Sequence, residues 1–263
     1  MPEVKSHAPG EYCWIELNTS DVAAAKRFYF DLFDWQAEDE GAGTDMAYTH
    51  LQIGGLNIGA MCALQPESLA QGVPPHWMSY MAVENADEAA AKAAALGGTV
   101  VMGAFDVMDA GRMAILQDPQ GATFCVWQAK ASIGIALVGN EIGTFGWNEL
   151  WTTDCAAATT FYTGLFGWSA KADAAPGGYT EWQLNDQSIG GMMKIQADMG
   201  PVPPNWLPYF LVADCNATAA KAIAGGGKLF VEPMDIPDVG RFSVIADPQG
   251  ATFAVIMLLE PMH

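Results

Sequence analysis

The chain has 263 residues, 51% of them apolar and 16% charged, enough to bury two sizeable cores. Thirty acidic against eleven basic residues give a formal charge of -19, a field that repels nucleic acid and anionic membranes and keeps a protein soluble. No apolar run reaches the roughly 20 residues of a membrane span. The N-terminal MPEVKSHAPGEY lacks the apolar core of a signal peptide. Five scattered cysteines without C-x-x-C spacing fit neither a disulfide framework nor a zinc knuckle, so a reducing cytoplasm is the expected compartment.

In chain order, residues 12–17 alternate as a strand, and Thr19-Ser-Asp opens a helix to about residue 33. Val22, Ala25, Phe28, Tyr29, Leu32 and Phe33 share one face of that helix. A polar, Gly-rich loop follows, then strands over 47–53 and 57–64 across a Gly-Gly turn. A loop with Val73-Pro-Pro leads into a strand over 76–83. An Ala-rich helix over 86–96 stops at Gly97-Gly98. Strands near 99–102, 113–117 and 123–128 close the unit. Both stretches have the order β-α-β-β-β.

The chain then repeats itself. Asp118 to Phe124 and Asp247 to Phe253 spell the same Asp-Pro-Gln-Gly-Ala-Thr-Phe at an offset of 129. Internal repeats of this kind decide the architecture. Pro presets φ, Asp can accept nearby N–H groups and Gly tolerates positive φ, so the segment reads as a hairpin turn. Trp14-x-Glu-Leu returns as Trp147-x-Glu-Leu, and Phe28-Tyr-x-x-Leu-Phe-x-Trp as Phe161-Tyr-x-x-Leu-Phe-x-Trp, both at offset 133. Val73-Pro-Pro-x-Trp-x-x-Tyr returns at offset 129, so the slip falls in the loops between residues 36 and 75. The expected organisation is α+β: two domains, 1–130 and 141–263, joined by a linker over 131–140. Each is a pair of β-α-β-β-β modules whose mixed sheet curls around a cavity, with helices outside.

These motifs together resemble the vicinal oxygen chelate superfamily of glyoxalase I, bleomycin-resistance proteins and extradiol dioxygenases. The motifs are Thr-x-Asp, Phe-Tyr-x-x-Leu-Phe-x-Trp, a strand ending before Ala-Asp, and Asp-Pro-x-Gly. The resemblance covers nearly the whole chain twice. It is nearest to two-domain glyoxalase-like proteins, including a secreted-antigen type and relatives labelled hydroxylase beside aromatic polyketide pathways. In metal-dependent members, the resemblance places ligands on the first strand (here Trp14 and Trp147), on the fifth (Met78 and Leu207) and after Asp-Pro-x-Gly (Cys125 and Ala254). A remaining carboxylate would fall near residues 59–61 and 191–193, where no acid stands. Indole, thioether, aliphatic and thiol groups are poor company for the hard or borderline ions of that family. No metal or other cofactor is therefore expected. His7, His50, His76 and His263 lack repeat partners, and His76 alone is placed by alternation on the ligand face.

Residues i and i+2 share a strand face, so Trp14 brings Glu16, Met78 brings Tyr80, and Cys125 brings Thr123 and Trp127. The second half offers Trp147 with Glu149, Leu207 with Tyr209, and Ala254 with Thr252 and Ile256. Such an apolar, aromatic lining with a few polar groups is the usual make of a small-molecule site. Glu16 and Glu149 are candidate general bases or ligand anchors, or else core carboxylates satisfied by Tyr80, Tyr209 or backbone. Arg112 and Arg241 either pair with Asp106 and Asp235 or face a ligand, Asp118 and Asp247 read as turn residues, and Cys125 reads as a buried thiol. Three functions remain open: binding of a small apolar or aromatic molecule, a glyoxalase-like or hydroxylase-like enzyme using a cavity Glu, and a structural protein with filled cavities. The expected partner is a small molecule, with oligomerisation possible and no nucleic acid or membrane partner.

Overall fold

The computed structural model describes residues 3–41, 47–137, 139, 141–172 and 178–260. The first domain is one open mixed sheet of eight strands: β1 (Tyr12–Thr19), β2 (Gln36–Glu40), β3 (Tyr48–Ile53), β4 (Leu56–Ala63), β5 (His76–Ala82), β6 (Thr99–Val107), β7 (Gly111–Gln117) and β8 (Thr123–Ala129). Their spatial order is β2-β3-β4-β1-β5-β8-β7-β6. The second domain repeats it with β9 (Phe145–Thr152), β10 (Ser169–Ala172), β11 (Thr180–Leu184), β12 (Gln187–Lys194), β13 (Asn205–Leu211), β14 (Lys228–Ile236), β15 (Gly240–Ala246) and β16 (Thr252–Leu258). Their order is β10-β11-β12-β9-β13-β16-β15-β14. Among the described residues, five α-helices accompany them: α1 (Val22–Phe33), α2 (Pro66–Ala70), α3 (Ala86–Ala95), α4 (Cys155–Phe166) and α5 (Cys215–Ala224).

Each module closes through a parallel pair, β1 with β4 and β5 with β8, and parallel pairs need a long crossover. Antiparallel pairing of β1 with β5, and of β9 with β13, joins two modules into one sheet. The Asp-Pro-Gln-Gly segment makes the expected hairpin, with Gln117 opposite Thr123. Capping follows the sequence. Asp21 accepts from the Ala24 N–H, and Asp34 ends α1 in the left-handed region that Gly167 occupies after α4. Two elements depart from expectation. The polar stretch after Trp35 begins with strand β2, fully exposed and paired to β3 through backbone and through polar side chains, Thr49 donating to Asp39 and Gln52 to Glu38, while residues 42–46 of the expected Gly-rich loop lie outside the described residues. β6 runs to Val107, five residues beyond the apolar run, because it follows β7 along its whole length.

The apolar faces of α1 and α4 pack across the domain boundary. Phe28 and Phe33 of α1 meet Phe253 and Phe210 of the second sheet, and Phe161 and Tyr162 of α4 meet Phe124 of the first. The Tyr29 hydroxyl donates to Asp247 (3.1 Å) and accepts from Trp77 Nε1 (3.0 Å). Tyr162 donates to Asp118 (3.1 Å) and accepts from Trp206 (3.0 Å). Asp118 and Asp247 also do the expected turn work, each accepting two backbone N–H groups through Oδ1. Burial raises both carboxyls above the ordinary range, against the pull of those hydrogen bonds. Arg112 and Arg241 reach Asp106 and Asp235, the first of the two alternatives, and also tie the hairpins to Asp87 and Asn216 at the starts of the preceding helices α3 and α5.

Candidate functional site

With one face of each sheet committed to the boundary core, the other face forms a concavity, and strand register fixes what lines it. In the first, Trp14 stands opposite Tyr80, Glu16 opposite Met78, Tyr80 beside Cys125 and Ala82 beside Trp127. In the second, Trp147 stands opposite Tyr209, Glu149 opposite Leu207, and Tyr209 beside Ala254. All the candidates are thus brought together by domain. The floors are packed: Trp14 is 8% exposed, Met78 9%, Tyr80 5%, Leu207 1% and Tyr209 3%. A groove of about 360 Å³ lies elsewhere, between α5 and β14, beside Ile223, Leu229 and Arg241.

Each floor carries the same hydrogen-bonded chain. Trp14 Nε1 donates to the Tyr48 hydroxyl (3.0 Å), which donates to Glu16 Oε2 (2.6 Å). Trp147 Nε1 donates to the Tyr179 hydroxyl (2.8 Å), which hydrogen-bonds Glu149. The two tyrosines were not among the sequence candidates. They correspond at an offset of 131, between the 133 of the first strand and the 129 of the fifth, and so escape either alignment.

The two carboxylates differ in surroundings. Glu149 is 5% exposed and also accepts from Trp151 Nε1 (2.6 Å) and the Tyr209 hydroxyl (3.0 Å). Burial raises its pKa, with the hydrogen bonds from Trp151, Tyr179 and Tyr209 acting in opposition. Glu16 is half-buried and accepts from Asn18 Nδ2 (3.2 Å) and the Cys62 thiol (3.7 Å). Tyr80 shares its hydrogen bond with Cys125, whose thiol is 1% exposed and pushed up by desolvation, as befits a buried and unreactive sulfur. His50 enters the first concavity unannounced. Its register partner on β4 is Ala60, and its ring meets Trp14 and Tyr48 edge-on. His76 faces Asn18 at the rim, with Nδ1 2.8 Å from the Pro74 carbonyl.

At the places where a metal-binding relative would put its ligands, the indole N–H groups of Trp14 and Trp147 are spent on tyrosine. Met78, Cys125, Leu207 and Ala254 complete the two sets. Among the described residues, no group of three or more His, Cys, Asp or Glu side chains converges as a metal site. These donors do not fit a catalytic divalent ion.

Against known proteins, the profile of the Glyoxalase/Bleomycin resistance protein/Dioxygenase superfamily matches residues 13–126 and again 144–255. The chain belongs to this superfamily. It is 42% identical to CFP32 of Mycobacterium tuberculosis, provisionally named a glyoxylase, over 97% of this chain and 98% of that one. It is 36% identical to the anthracycline biosynthesis protein DauV of Streptomyces sp. strain C5, over 96% and 95%. The fold is also that of the Mn(II)-bound glyoxalase of Novosphingobium aromaticivorans, with a TM-score of 0.66 at 15% identity, covering 97% of this chain and 84% of that one.

Proposed function

We propose that this superfamily member binds a small, flat, apolar or aromatic molecule in an aromatic-lined concavity and holds no metal there. The observation that carries the reading is the donor set. Trp14, Met78, Cys125, Trp147, Leu207 and Ala254 stand where relatives would coordinate, and both indole N–H groups are already bonded. The half-buried Tyr48 and Glu16, set over the packed rings of Trp14 and Tyr80, suit an aromatic ligand bearing a hydrogen-bond donor. The name of DauV, an anthracycline biosynthesis protein, is in keeping with a polycyclic aromatic ligand.

Elemental analysis tests the first half of this reading, after incubation with nickel, zinc, manganese and ferrous iron and then dialysis. Less than about 0.1 metal per chain is expected, because a site needs several converging donors. Stoichiometric retention overturns the reading.

A second reading is an enzyme, glyoxalase-like or hydroxylase-like, that uses a cavity carboxylate as general base. The carboxylate of Glu16, half-buried beside Tyr48, favours it. Glu16→Gln would then abolish turnover of a substrate whose binding survives.

A further inference from the structure

The two concavities descend from one repeat, so position-by-position comparison shows what each can admit. Strand β1 reads Trp14-Ile-Glu-Leu-Asn18, and β9 reads Trp147-Asn-Glu-Leu-Trp151. Asn18 and Trp151 occupy the same place, two residues beyond the carboxylate on the same face. Trp151 is 8% exposed and puts its indole N–H on Glu149. Around it, Ile195, Met199 and Val202 pack against the same cluster, closing that end of the second concavity. Cys62, the neighbour of Glu16, is replaced there by the bulkier Met193. Tyr209 has Ala254 beside it in place of Cys125, and its hydroxyl turns to Glu149. The second carboxylate is walled off and saturated by its own chain.

In the first concavity the corresponding end is covered only by small polar side chains, the Cys62 thiol reaching Asn18 Oδ1 (3.5 Å) and both bonding Glu16. Asn18, Cys62 and Glu16 are all partly exposed, and helix α2, which follows β4, buries none of its residues. The far end is narrowed to a small pocket of about 100 Å³ beside Ala82 and Trp127. The segment around Ile135 crosses there, its N–H on the Cys13 carbonyl (2.7 Å), while Trp127 Nε1 donates to the Ser132 carbonyl (3.1 Å).

We infer that the first concavity is the working site, reached from the end where Asn18 and Cys62 cover Glu16, a ligand donor replacing their bonds to that carboxylate. Glu16 receives an amino or hydroxyl donor of a planar aromatic ligand there, while Trp151 makes the second concavity a self-filled structural copy. The inference rests on the binding reading above. The rim residues His50 and Glu40, 3.4 Å apart, add a further polar edge on β3 and β2 that favours a donor-bearing or cationic ring.

Proflavine, a planar cation with two aromatic amino groups, is a suitable probe, titrated at 0.15 M salt to suppress attraction to the overall negative charge. The wild-type chain is expected to bind one equivalent. Asn18→Trp, which copies the plug into the first site, should weaken binding at least tenfold, as should Glu16→Gln. Trp151→Asn, which copies the small side chain into the second, should raise the stoichiometry to two. If Trp151→Asn loses cooperative melting, Asn18→Trp and Glu16→Gln decide. Undiminished binding in both of those variants places the ligand elsewhere and overturns this inference alone. No saturable binding by the wild type overturns it together with the binding reading.

Discussion

Replacing Tyr29 by Phe removes one oxygen from the domain boundary and nothing else. The ring keeps its contacts with Trp35, Trp77 and Phe253, at centroid distances of 5.8, 5.4 and 5.3 Å, so buried apolar area is unchanged. Two hydrogen bonds go, one to the carboxylate of Asp247 and one from Trp77 Nε1. Asp247 retains its two backbone donors on Oδ1, but the buried indole N–H is left without a partner. A hydrogen bond to a charged group contributes about 1.5–3 kcal/mol, and orphaning a buried donor costs about 1–3 kcal/mol. Allowing for overlap, the loss is about 3 kcal/mol. At about 2–4 °C per kcal/mol for a chain of this size, the melting temperature should fall by about 6–12 °C. Urea unfolding followed in parallel by tryptophan fluorescence and far-ultraviolet circular dichroism should stay a single transition, since the bond links the two sheets. Tyr162→Phe should behave alike. A loss below about 1 kcal/mol, or two resolved transitions in the wild type, would refute the argument that these tyrosines fuse the halves.

Glu149→Gln should stabilise the protein at pH 8. The folded carboxyl has its pKa raised, so its favourable contribution is fully present below the unfolded value near 4.3 and is lost as pH rises through the folded one. The melting-temperature gain of the variant should therefore shrink toward zero near pH 4, and a variant less stable than wild type at pH 8 would contradict this. Gly134→Ala should cost at least about 2 kcal/mol in chemical denaturation. Gly134 sits at φ +99°, and an added Cβ would lie 2.1 Å from the Cys13 carbonyl oxygen, a backbone atom with no rotamer to yield. Neutral behaviour there would mean that the crossing over β1 is not fixed as described.

Much of this fold can be read from letters, because its signals are local or repeated. Asp21 and Asn85 start helices, Asp-Pro-Gln-Gly turns a hairpin, and period-two alternation puts Trp14 with Glu16. Strand β2 cannot be read this way. Gln36-Ala-Glu-Asp-Glu40 has no buried face, and it becomes a strand through backbone pairing with β3 and polar pairs such as Thr49 with Asp39. Nor does the amphipathic face of α1 reveal which sheet it will meet, since Phe28 and Phe33 would serve against either. The site was legible in its first and fifth strands, where the repeat offset is constant. Tyr48 and Tyr179 were hidden because the loop lengths change on both sides of them, and so was the contrast between Asn18 and Trp151. That contrast becomes meaningful only when register puts both side chains next to the same carboxylate.

The exchange of tyrosines between halves has a bearing on how the molecule can move. With Tyr29 anchored in the turn of the other sheet and Tyr162 returning the favour, the boundary between the described residues of the two halves is continuous with the main core. Compliance must come from the margins. The exposed β2 and the outer β6 are the edge strands of the first sheet, each paired with a single neighbouring strand, β2 also tied to α1 through Lys26 and Asp39 and β6 backed by α3, and they flex more freely than the central strands. On the binding reading proposed above, a guest in the first domain would be met by flexing of these edge strands rather than by movement of one half of the chain against the other.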